Sequence, residues 1–373
     1  MAVDPWHFER GEFTSRVLTL LVGGPGQALT LFAPRRTGKT EFLLKDLAPL
    51  AEARGHRVVY ASFWQAPLSP LAVLLHALET SFRQGTLRDR LRSSALALAP
   101  KLKLSAPATG MEATFDLTAI RGAPPADLLL HMDDLLDRLS RRRRATILLL
   151  DEVQELARSR DNAPLVAALR TSLDTRDRRL RTVFTGSSRE GLAAMFSARQ
   201  APFFHFATPI DLPPLAEPFV DHILETFHRV SRRTLSRGDA LAAFDRLHAN
   251  PHFFRVLIEQ LLHDPDLAVE PALAAVRERI ALDLGYPETW LTLTAIQRAT
   301  ARALAAGADR PFGQPFRRRV GEEIGEAALS AGRVQAALRR LERAGLADTH
   351  TGRWALVDPE FAAWITGHNG ESR

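Results

Sequence analysis

The sequence contains no cysteine among its 373 residues. This absence excludes disulfide bonds, cysteine-ligated zinc and thiol catalysis. The twelve histidines include no H-E-x-x-H motif. The one H-x₃-H pair, His248 and His252, is interrupted by Pro251, which would break the single helical face that a shared metal needs. We therefore expect no metal site built from protein side chains alone.

Long apolar runs are also missing. No stretch approaches the roughly 18 residues that a membrane-spanning helix requires. The first residues, MAVDP, do not form a basic region followed by an apolar one, so no signal peptide is expected. A hydrophobic content of 46% over 373 residues is ample for packed cores and about two domains. These features predict a soluble cytoplasmic protein with no membrane partner.

Lysine is scarce, because only four of the 49 basic residues are lysines. One of them, Lys39, belongs to the stretch APRRTGKT at residues 33–40. An apolar run at 28–32 precedes this stretch and a helical pattern at 41–45 follows it. That is the strand–loop–helix context of a phosphate-binding loop, although Ala33 stands where glycine is usual. The alternative, a chance loop, has neither the strand nor the partner motif described below.

In such a loop, backbone N–H groups and the positive end of the following helix bind phosphate. Lys39 would contact the β and γ phosphates, and the Thr40 hydroxyl would contact Mg²⁺. The predicted nucleotide-binding residues of the loop are Pro34, Arg35, Arg36, Thr37, Gly38, Lys39, Thr40 and Glu41.

A second motif is the apolar run 145–150 followed by Asp151 and Glu152. Such a run is typical of a strand buried on both faces of a parallel sheet, and ligands bind at the carboxyl ends of such strands. Asp151 would hold the Mg²⁺ shell, and Glu152 would act as the general base for the attacking water. The alternative is a strand that ends in a solvated acidic turn. Together with the loop, the motif predicts ATP hydrolysis.

A third polar position follows the strand pattern at 181–185, which ends in Gly186, Ser187 and Ser188. A polar residue at this strand end would contact the γ-phosphate or the attacking water. Ser187 is our first candidate and Ser188 the second. The alternative, an N-cap for a helix at 189–196, explains a serine equally well.

The remaining patterns predict three domains: an ATPase domain at 1–215 with a small hairpin at about 100–120, a helical lid at 216–286 and a winged helix at 287–373. The lid helices are expected at 217–230, 240–248, 251–262 and 271–283. The last domain is expected to contain helices at 291–305 and 316–328, a basic helix at 330–345 and a hairpin at 347–356. The fifth strand region of the ATPase domain is expected at 202–206 with 210–212.

The net charge of +6 and the isoelectric point of about 10.3 favour a polyanionic partner. The arginines cluster at 141–144, 176–181, 317–319 and 333–343. In a winged helix, the basic helix lies in the major groove of double-stranded DNA. The predicted DNA contacts are Arg333, Gln335, Arg339, Arg340 and Arg343. Because residues 288–373 carry twelve arginines against ten acidic residues, a protein-contact or packing role stays open as the alternative.

With these motifs in view, the chain resembles the P-loop ATPases of the AAA+ superfamily. It is most similar to the branch that holds archaeal-type ATPases, signalling STAND ATPases and origin-recognition initiators. The resemblance is carried by APRRTGKT, LLLDEVQEL, VFTGSS, APFFHFATPIDLPPL and the helix that begins at Asn250 and Pro251. It implies an α/β P-loop NTPase fold with a parallel sheet in the order 5-1-4-3-2, a helical lid and a C-terminal winged helix.

The resemblance also implies roles for individual residues. Lys39 and Thr40 would bind phosphate and Mg²⁺, Asp151 and Glu152 would be the Walker B pair, and Ser187 would be the first sensor. Pro251 and Arg10 stand where related proteins contact the adenine. Arg199, or alternatively Arg189, would complete the site of a neighbouring subunit in a homo-oligomer. His252 occupies the position of a lid arginine in the initiators.

The sequence therefore predicts an ATP- and Mg²⁺-dependent ATPase, slow and stimulated by a partner, that couples its nucleotide state to DNA binding through the winged helix. An alternative is a STAND-like regulatory switch whose winged helix contacts a protein partner. A third reading is a nucleotide-binding scaffold with negligible turnover.

Overall fold

The structure is a computed structural model that describes residues 4–34, 36–65, 69–95, 101–105, 112–116, 126–176, 178–187, 189–197, 201–327, 329–350 and 353–367. The chain divides into two compact units, Met1–Pro214 and Leu215–Arg373. The division into three domains stays a prediction. Among the described residues, no helix combines the length and the apolar character that crossing a membrane requires.

The first unit is built on a five-stranded parallel sheet. Its strands are β1 (Ala28–Phe32), β2 (Arg57–Ser62), β5 (Thr146–Asp151), β6 (Leu180–Gly186) and β7 (Thr208–Asp211). They lie in the order β2-β5-β6-β1-β7, and each neighbouring pair is parallel. When the five strands of this sheet are numbered 1 to 5 along the chain, their order read from the β7 edge is 5-1-4-3-2. The predicted topology is therefore confirmed. Two further strands, β3 (Lys101–Ser105) and β4 (Glu112–Asp116), form the separate antiparallel hairpin predicted between β2 and β5.

Helices cover both faces of the sheet. They are α1 (Gly11–Gly23), α2 (Lys39–Glu41), α3 (Ala48–Ala53), α4 (Pro70–Thr80), α5 (Leu87–Ala95), α6 (Ala126–Ser140), α7 (Ala163–Asp174) and α8 (Arg189–Phe196). Successive residues of a strand point to opposite faces. In β5, Ile147 and Leu149 accordingly pack with α1 and the helix after the phosphate loop, whereas Leu148 and Leu150 pack with α4, α6 and α7. A strand that is buried on both faces must be apolar throughout, which explains the ILLL run.

The predicted fifth strand region is partly wrong. Only Thr208–Asp211 pairs with β1, while residues 202–206 form turns. Phe203 and Phe206 are buried against Phe184 of β6, with ring centroids 5.1 and 6.1 Å away. The aromatic run therefore fills the core between β6 and α8 and does not lengthen the sheet.

The helix after the phosphate loop contains a π-helical segment at Phe42–Leu47, which overlaps the helical pattern at 41–45. A π-helical segment shifts the register of the side chains that follow, and such segments are frequent near functional sites. Here Asp46 is buried and accepts hydrogen bonds from His7 Nε2 at 2.5 Å and from the Arg10 backbone N–H at 3.4 Å. The shifted segment thus attaches the N-terminal residues to the loop helix.

The second unit contains nine helices and a hairpin within its described residues. The helices are α9 (Glu217–Ser231), α10 (Arg237–Arg246), α11 (Pro251–His263), α12 (Val269–Asp283), α13 (Tyr286–Thr292), α14 (Ala295–Ala305), α15 (Gln314–Glu323), α16 (Ala331–Arg343) and α17 (Pro359–Gly367). The hairpin pairs β8 (Ala347–His350) with β9 (Arg353–Leu356). One apolar cluster joins α14, α15, α16, the hairpin and α17. From α14 to the hairpin, the order helix, helix, basic helix and hairpin agrees with the predicted one. The single helix predicted at 291–305 is wrong, because α13 ends at Thr292 and α14 begins at Ala295, and α17 was not predicted.

A buried carboxylic acid lies in the first turn of α17. Glu360 is 5% exposed, and its Oε1 atom has no hydrogen-bond partner among the described residues. Burial raises the pKa of Glu360 to about 7, although Arg277 opposes the shift and Asp358 adds to it. Because the folded-state pKa lies above that of the unfolded chain, the neutral form is favoured by folding.

We expect this group to make the second unit less stable as the pH rises. Its stabilising effect is complete below the unfolded pKa of about 4.3 and is lost as the pH rises through about 7. Glu360→Gln keeps the neutral form at every pH. Between pH 5 and pH 8, wild type should lose on the order of 2 kcal/mol of unfolding free energy relative to this variant. Urea unfolding followed by circular dichroism measures the difference. The exposed Glu278→Gln serves as a matched control, and parallel pH profiles for all three proteins would contradict the prediction.

Candidate nucleotide-binding site

The phosphate loop follows β1 at the carboxyl edge of the sheet. Arg36 and Gly38 have left-handed backbones, with φ of 64° and 92°. Left-handed residues turn the loop tightly, and glycine adopts this conformation without steric cost. The Thr37 hydroxyl closes the turn by donating to the Pro34 carbonyl at 2.7 Å. α2 begins directly after the loop at Lys39, so its N-terminal N–H groups face the concave side.

Lys39 lies inside this loop and is only 5% exposed. Its Nζ donates to the carbonyls of Ala33 at 2.7 Å and Pro34 at 2.9 Å. The same atom lies 3.9 Å from Glu152 Oε1. The ammonium group is therefore held in the loop by neutral backbone carbonyls. A charged phosphate oxygen is a stronger acceptor and can replace them.

The Asp151 carboxylate at the end of β5 accepts hydrogen bonds from residues of three neighbouring segments. Its side chain is 1% exposed. One oxygen, Oδ2, accepts hydrogen bonds from Thr40 Oγ1 at 2.8 Å and from the Tyr60 hydroxyl at 3.1 Å. The other, Oδ1, accepts from Thr185 Oγ1. Burial and the Asp151 charge raise the pKa of Tyr60, so its hydroxyl stays protonated and acts as a donor. The carboxylate is thus fixed from three directions.

The oxygen atoms of Thr40 and Asp151 fit a divalent cation. Hydroxyl and carboxylate oxygens are hard ligands of the kind that Mg²⁺ prefers, and Mg²⁺ is normally held by one or two such groups together with substrate phosphates. Thr40 remains exposed, so a cation can reach the pair from the loop side. The described residues contain no separate group of three or more His, Asp or Glu side chains that could hold a metal. A cation here would depend on the bound phosphate.

Glu152 adopts a left-handed backbone, with φ of 57° and ψ of 46°. This conformation is uncommon for a non-glycine residue and is often found at functional sites. The side chain is turned toward the end of β6, where its Oε2 accepts hydrogen bonds from Ser187 Oγ at 2.7 Å and from Gln154 Nε2. Gln154 also lies 3.4 Å from Ser187 Oγ. Glu152, Gln154 and Ser187 therefore form one hydrogen-bonded group beside Lys39.

Two solved structures share this arrangement of strands and helices. The Walker-type ATPase paby2304 of Pyrococcus abyssi is 17% identical in sequence, with a TM-score of 0.64 over 95% of each chain. The ORC2 protein of Aeropyrum pernix, in its ADPNP–ADP complexes, is 16% identical, with a TM-score of 0.57 over 97% of this chain and 93% of the other. The chain has the P-loop NTPase fold. No protein-family model matches it, and no curated protein sequence matches it significantly.

Within this fold, Arg10 lies against the phosphate loop. Its guanidinium donates to the carbonyl of Thr37 at 3.4 Å and to the carbonyl of Pro213 after β7. Burial lowers its pKa, while Asp46 and Glu41 act in the opposite direction. Arg10 thus links the loop to the last strand of the sheet, and its predicted contact with the adenine stays a prediction.

The other predicted residues are distributed over both units. Glu41 lies in α2 and forms a 2.6 Å ion pair with Lys45. Pro251 is the first residue of α11, and His252 follows it there. Arg189, the alternative to Arg199, begins α8. Three predicted residues lie outside the described part of the chain, namely Arg35, Ser188 and Arg199.

Sequence reasoning missed Tyr60, Gln154 and Thr185. A signal existed for two of them, because Tyr60 and Thr185 place hydroxyl groups near the carboxyl ends of the two strands on either side of β5. Gln154 gave no such signal. A Cβ atom at Gly186 would lie 2.5 Å from its Oε1 atom, so the glycine at the end of β6 makes room for this side chain.

We predict that Tyr60→Phe weakens Mg²⁺-dependent nucleotide binding. The substitution removes one donor from Asp151 and keeps the buried ring. Loss of a hydrogen bond that orients a ligand side chain typically costs about 10- to 100-fold in metal affinity. Titrating Mg²⁺ into the protein with a fluorescent ATP analogue should show a half-saturating concentration at least about 10-fold higher.

Tyr286→Phe provides the control for this experiment. Tyr286 is the only other tyrosine in the sequence, and its hydroxyl also donates to an aspartate, Asp358, at 2.6 Å in the second unit. Its removal should leave the Mg²⁺ titration unchanged. An equal Mg²⁺ dependence in wild type and Tyr60→Phe would show that Asp151 does not need this donor.

Proposed function

We propose that the protein binds and hydrolyses ATP and couples its nucleotide state to the binding of double-stranded DNA through a C-terminal winged helix. The observation that supports this most strongly is the convergence of Lys39, Thr40, Asp151, Glu152 and Ser187 at one edge of a parallel sheet with the P-loop NTPase fold. These residues come from the ends of three different strands, and together they supply a phosphate-binding cation, ligands for a metal ion and a general base for water.

Hydrolysis transfers the γ-phosphoryl group of ATP to water and yields ADP and phosphate. Lys39 exchanges the carbonyls of Ala33 and Pro34 for phosphate oxygens and balances their charge. Glu152 orients the attacking water and accepts its proton. Ser187, which donates to Glu152, fixes the position of that carboxylate. When bound by Thr40 and Asp151, Mg²⁺ supplies positive charge that offsets the charge developing on the phosphate oxygens.

Two of these side chains provide a route by which the nucleotide state changes the structure. Lys39 and Ser187 both donate to acceptors within the protein, and a γ-phosphate offers each of them a competing acceptor of higher charge. ATP and ADP would therefore leave Glu152 and Gln154 in different hydrogen-bonded arrangements. Completion of the site by Arg199 or Arg189 of a second copy, in a cytoplasmic homo-oligomer, is part of the same proposal.

The winged-helix assignment is supported by the exposed face of α16. Arg333, Gln335, Arg339, Arg340 and Arg343 are all exposed, whereas the opposite face is buried in the apolar cluster. Arg333 forms a 2.5 Å ion pair with Glu326. Arg339 and Arg340 form no ion pair with any described residue. Two unneutralised guanidinium groups on an exposed helix fit the phosphate or base edges of duplex DNA.

A second candidate function is a nucleotide-dependent switch whose winged helix contacts a protein. This candidate is favoured by two apolar side chains of the same region, Phe312 and Val357, which are 47% and 56% exposed. Exposed apolar groups are more typical of protein interfaces than of DNA interfaces. Under this function, turnover does not respond to duplex DNA.

We predict that Glu152→Gln abolishes turnover and leaves ATP binding intact. The amide cannot accept the proton of the attacking water, so the rate should fall about 10²- to 10⁴-fold. Phosphate release measures the rate, and a fluorescent ATP analogue measures affinity. Duplex DNA should stimulate wild-type turnover at low salt, and the stimulation should fade as salt rises. A wild-type protein without measurable turnover would exclude the proposed hydrolysis and support the scaffold reading.

We also predict that an Arg339→Ala, Arg340→Ala double variant weakens DNA binding. Each lost phosphate contact should reduce the slope of log K against log salt by about 0.9. Fluorescence anisotropy with a labelled duplex measures both the affinity and the slope. The double variant Arg229→Ala, Arg279→Ala removes the same charge from exposed positions of α9 and α12 and is the control. If both double variants bind the duplex equally well, α16 is not the DNA-binding helix.

A further inference from the structure

Arginines collect at the amino end of the sheet in the first unit, in the turns that lead into β2, β5 and β6. Because these strands are parallel and adjacent, the three turns meet at one edge, opposite to the nucleotide site. We call the exposed arginines of this edge, apart from Arg141, which pairs with Asp137, the basic edge. Its members are Arg54, Arg142, Arg143, Arg144, Arg178 and Arg179.

Direct contacts join the three turns. The Arg179 guanidinium donates to the Arg142 carbonyl at 3.4 Å, and the Arg179 carbonyl accepts from the Thr146 N–H at 2.8 Å. Between the other two turns, the side chain of Arg144 crosses Gly55, where an added Cβ atom would lie 3.0 Å from its Cδ. The basic edge is therefore one continuous surface across three strands.

The carboxylates near this surface are already used by other arginines. Glu52 pairs with Arg90 at 3.1 Å. Asp137 and Asp133 pair with Arg141 and Arg176, at 2.6 and 2.8 Å. In contrast, no member of the basic edge forms an ion pair with any described residue. The sequence of the three turns contains one acidic residue, Asp177, which lies outside the described residues.

The excess positive charge is large enough to affect neighbouring groups. The pKa of Arg57, at the start of β2, is lowered by burial and then by the charge of Arg142, against the opposing effect of Glu52. Like charges held this close favour an anion from outside the molecule.

The composition of the basic edge favours nucleic acid over a protein or a membrane. Its charges are all guanidinium groups, whose planar N–H donors match phosphate oxygens in pairs. None of the large exposed apolar side chains lies in the described residues of these turns, and a protein interface or membrane anchor normally needs such groups. Three adjacent strands span about 10 Å. Over that distance, duplex DNA presents about six phosphate charges.

We propose that the basic edge binds the phosphate backbone of double-stranded DNA, as a second contact besides the winged helix. The inference rests on the proposed DNA-binding function and adds a surface on the ATPase unit. It requires that DNA affinity depends on arginines of the first unit that lie at the sheet edge opposite to the nucleotide site.

The test is the triple variant Arg142→Gln, Arg143→Gln, Arg178→Gln in the full-length chain. It keeps Arg144, which packs over Gly55, and Arg179, which bonds to the neighbouring turn. Anisotropy with a labelled duplex between about 50 and 200 mM salt should show a slope of log K against log salt reduced by about 2 to 3, and affinity at least about 10-fold weaker at the lower salt.

The control is Arg229→Gln, Arg232→Gln, Arg279→Gln, which removes the same charge from exposed positions of the second unit. Its affinity and slope should match wild type, and ATP turnover without DNA should be unchanged in both triple variants.

The Arg339, Arg340 double variant, measured alongside, separates this inference from the proposed function. If that variant loses DNA binding while the basic-edge variant matches its control, the basic edge is not a DNA contact and the winged-helix proposal stands. If only the basic-edge variant loses binding, the inference stands, and the proposal that α16 contacts DNA fails. Retention of wild type on phosphatidylserine vesicles, without duplex binding at the same salt, would overturn the inference in favour of an anionic membrane surface.

Discussion

The Asp151 carboxylate is the interaction on which the rest of the site depends. A buried carboxylate is costly unless hydrogen bonds or an opposite charge compensate for the lost water. Here three hydroxyl groups do so: Thr40 after β1, Tyr60 in β2 and Thr185 in β6. With Asp151 itself at the end of β5, one side chain connects four of the five strands of the sheet. A shift in the register of β2 or β6 would remove one of these donors, so the buried carboxylate stabilises the observed register of the strands.

This arrangement divides the site into a fixed part and a part that can change. Asp151 is enclosed, and its donors come from strands or from the start of the loop helix. Glu152, one residue later, leaves the sheet in a left-handed conformation that costs on the order of 1 kcal/mol or more. It is held by Ser187 and Gln154, both at the accessible end of the strands. Lys39 is likewise held by two loop carbonyls, and its Nζ lies 3.9 Å from Glu152 Oε1. The groups expected to act on the phosphates are thus the ones whose hydrogen bonds can be exchanged.

The sequence predicted the features that depend on contiguous residues. The phosphate loop, the acidic pair after an apolar strand and the serine after β6 are local patterns, and Ser330 was recognisable as the cap of α16, where its Oγ accepts from the Arg333 N–H. One helix start was misplaced: α10 begins at Arg237, where the Ser236 side chain caps it by accepting from the Asp239 N–H, whereas the sequence predicted a start at 240. The roles of Tyr60 and Gln154 arise from packing between distant segments. The aromatic run at 203–206 has the composition of a strand. Its residues Phe203 and Phe206 are instead buried in a turn region, where their rings pack against Phe184.

The same topology that gathers carboxylates at one end of the sheet explains why arginines gather at the other. In a parallel sheet, each helix returns the chain to the amino edge, so the C-termini of α3, α6 and α7 all lie there, directly before the turns that contain the basic edge. A helix C-terminus carries about half a negative charge, which favours a nearby cation. Three such termini supply about 1.5 negative charges, whereas the basic edge presents six arginines with no ion pair among the described residues. The helix dipoles therefore account for one or two of these residues, and the remaining positive charge is left for an external polyanion.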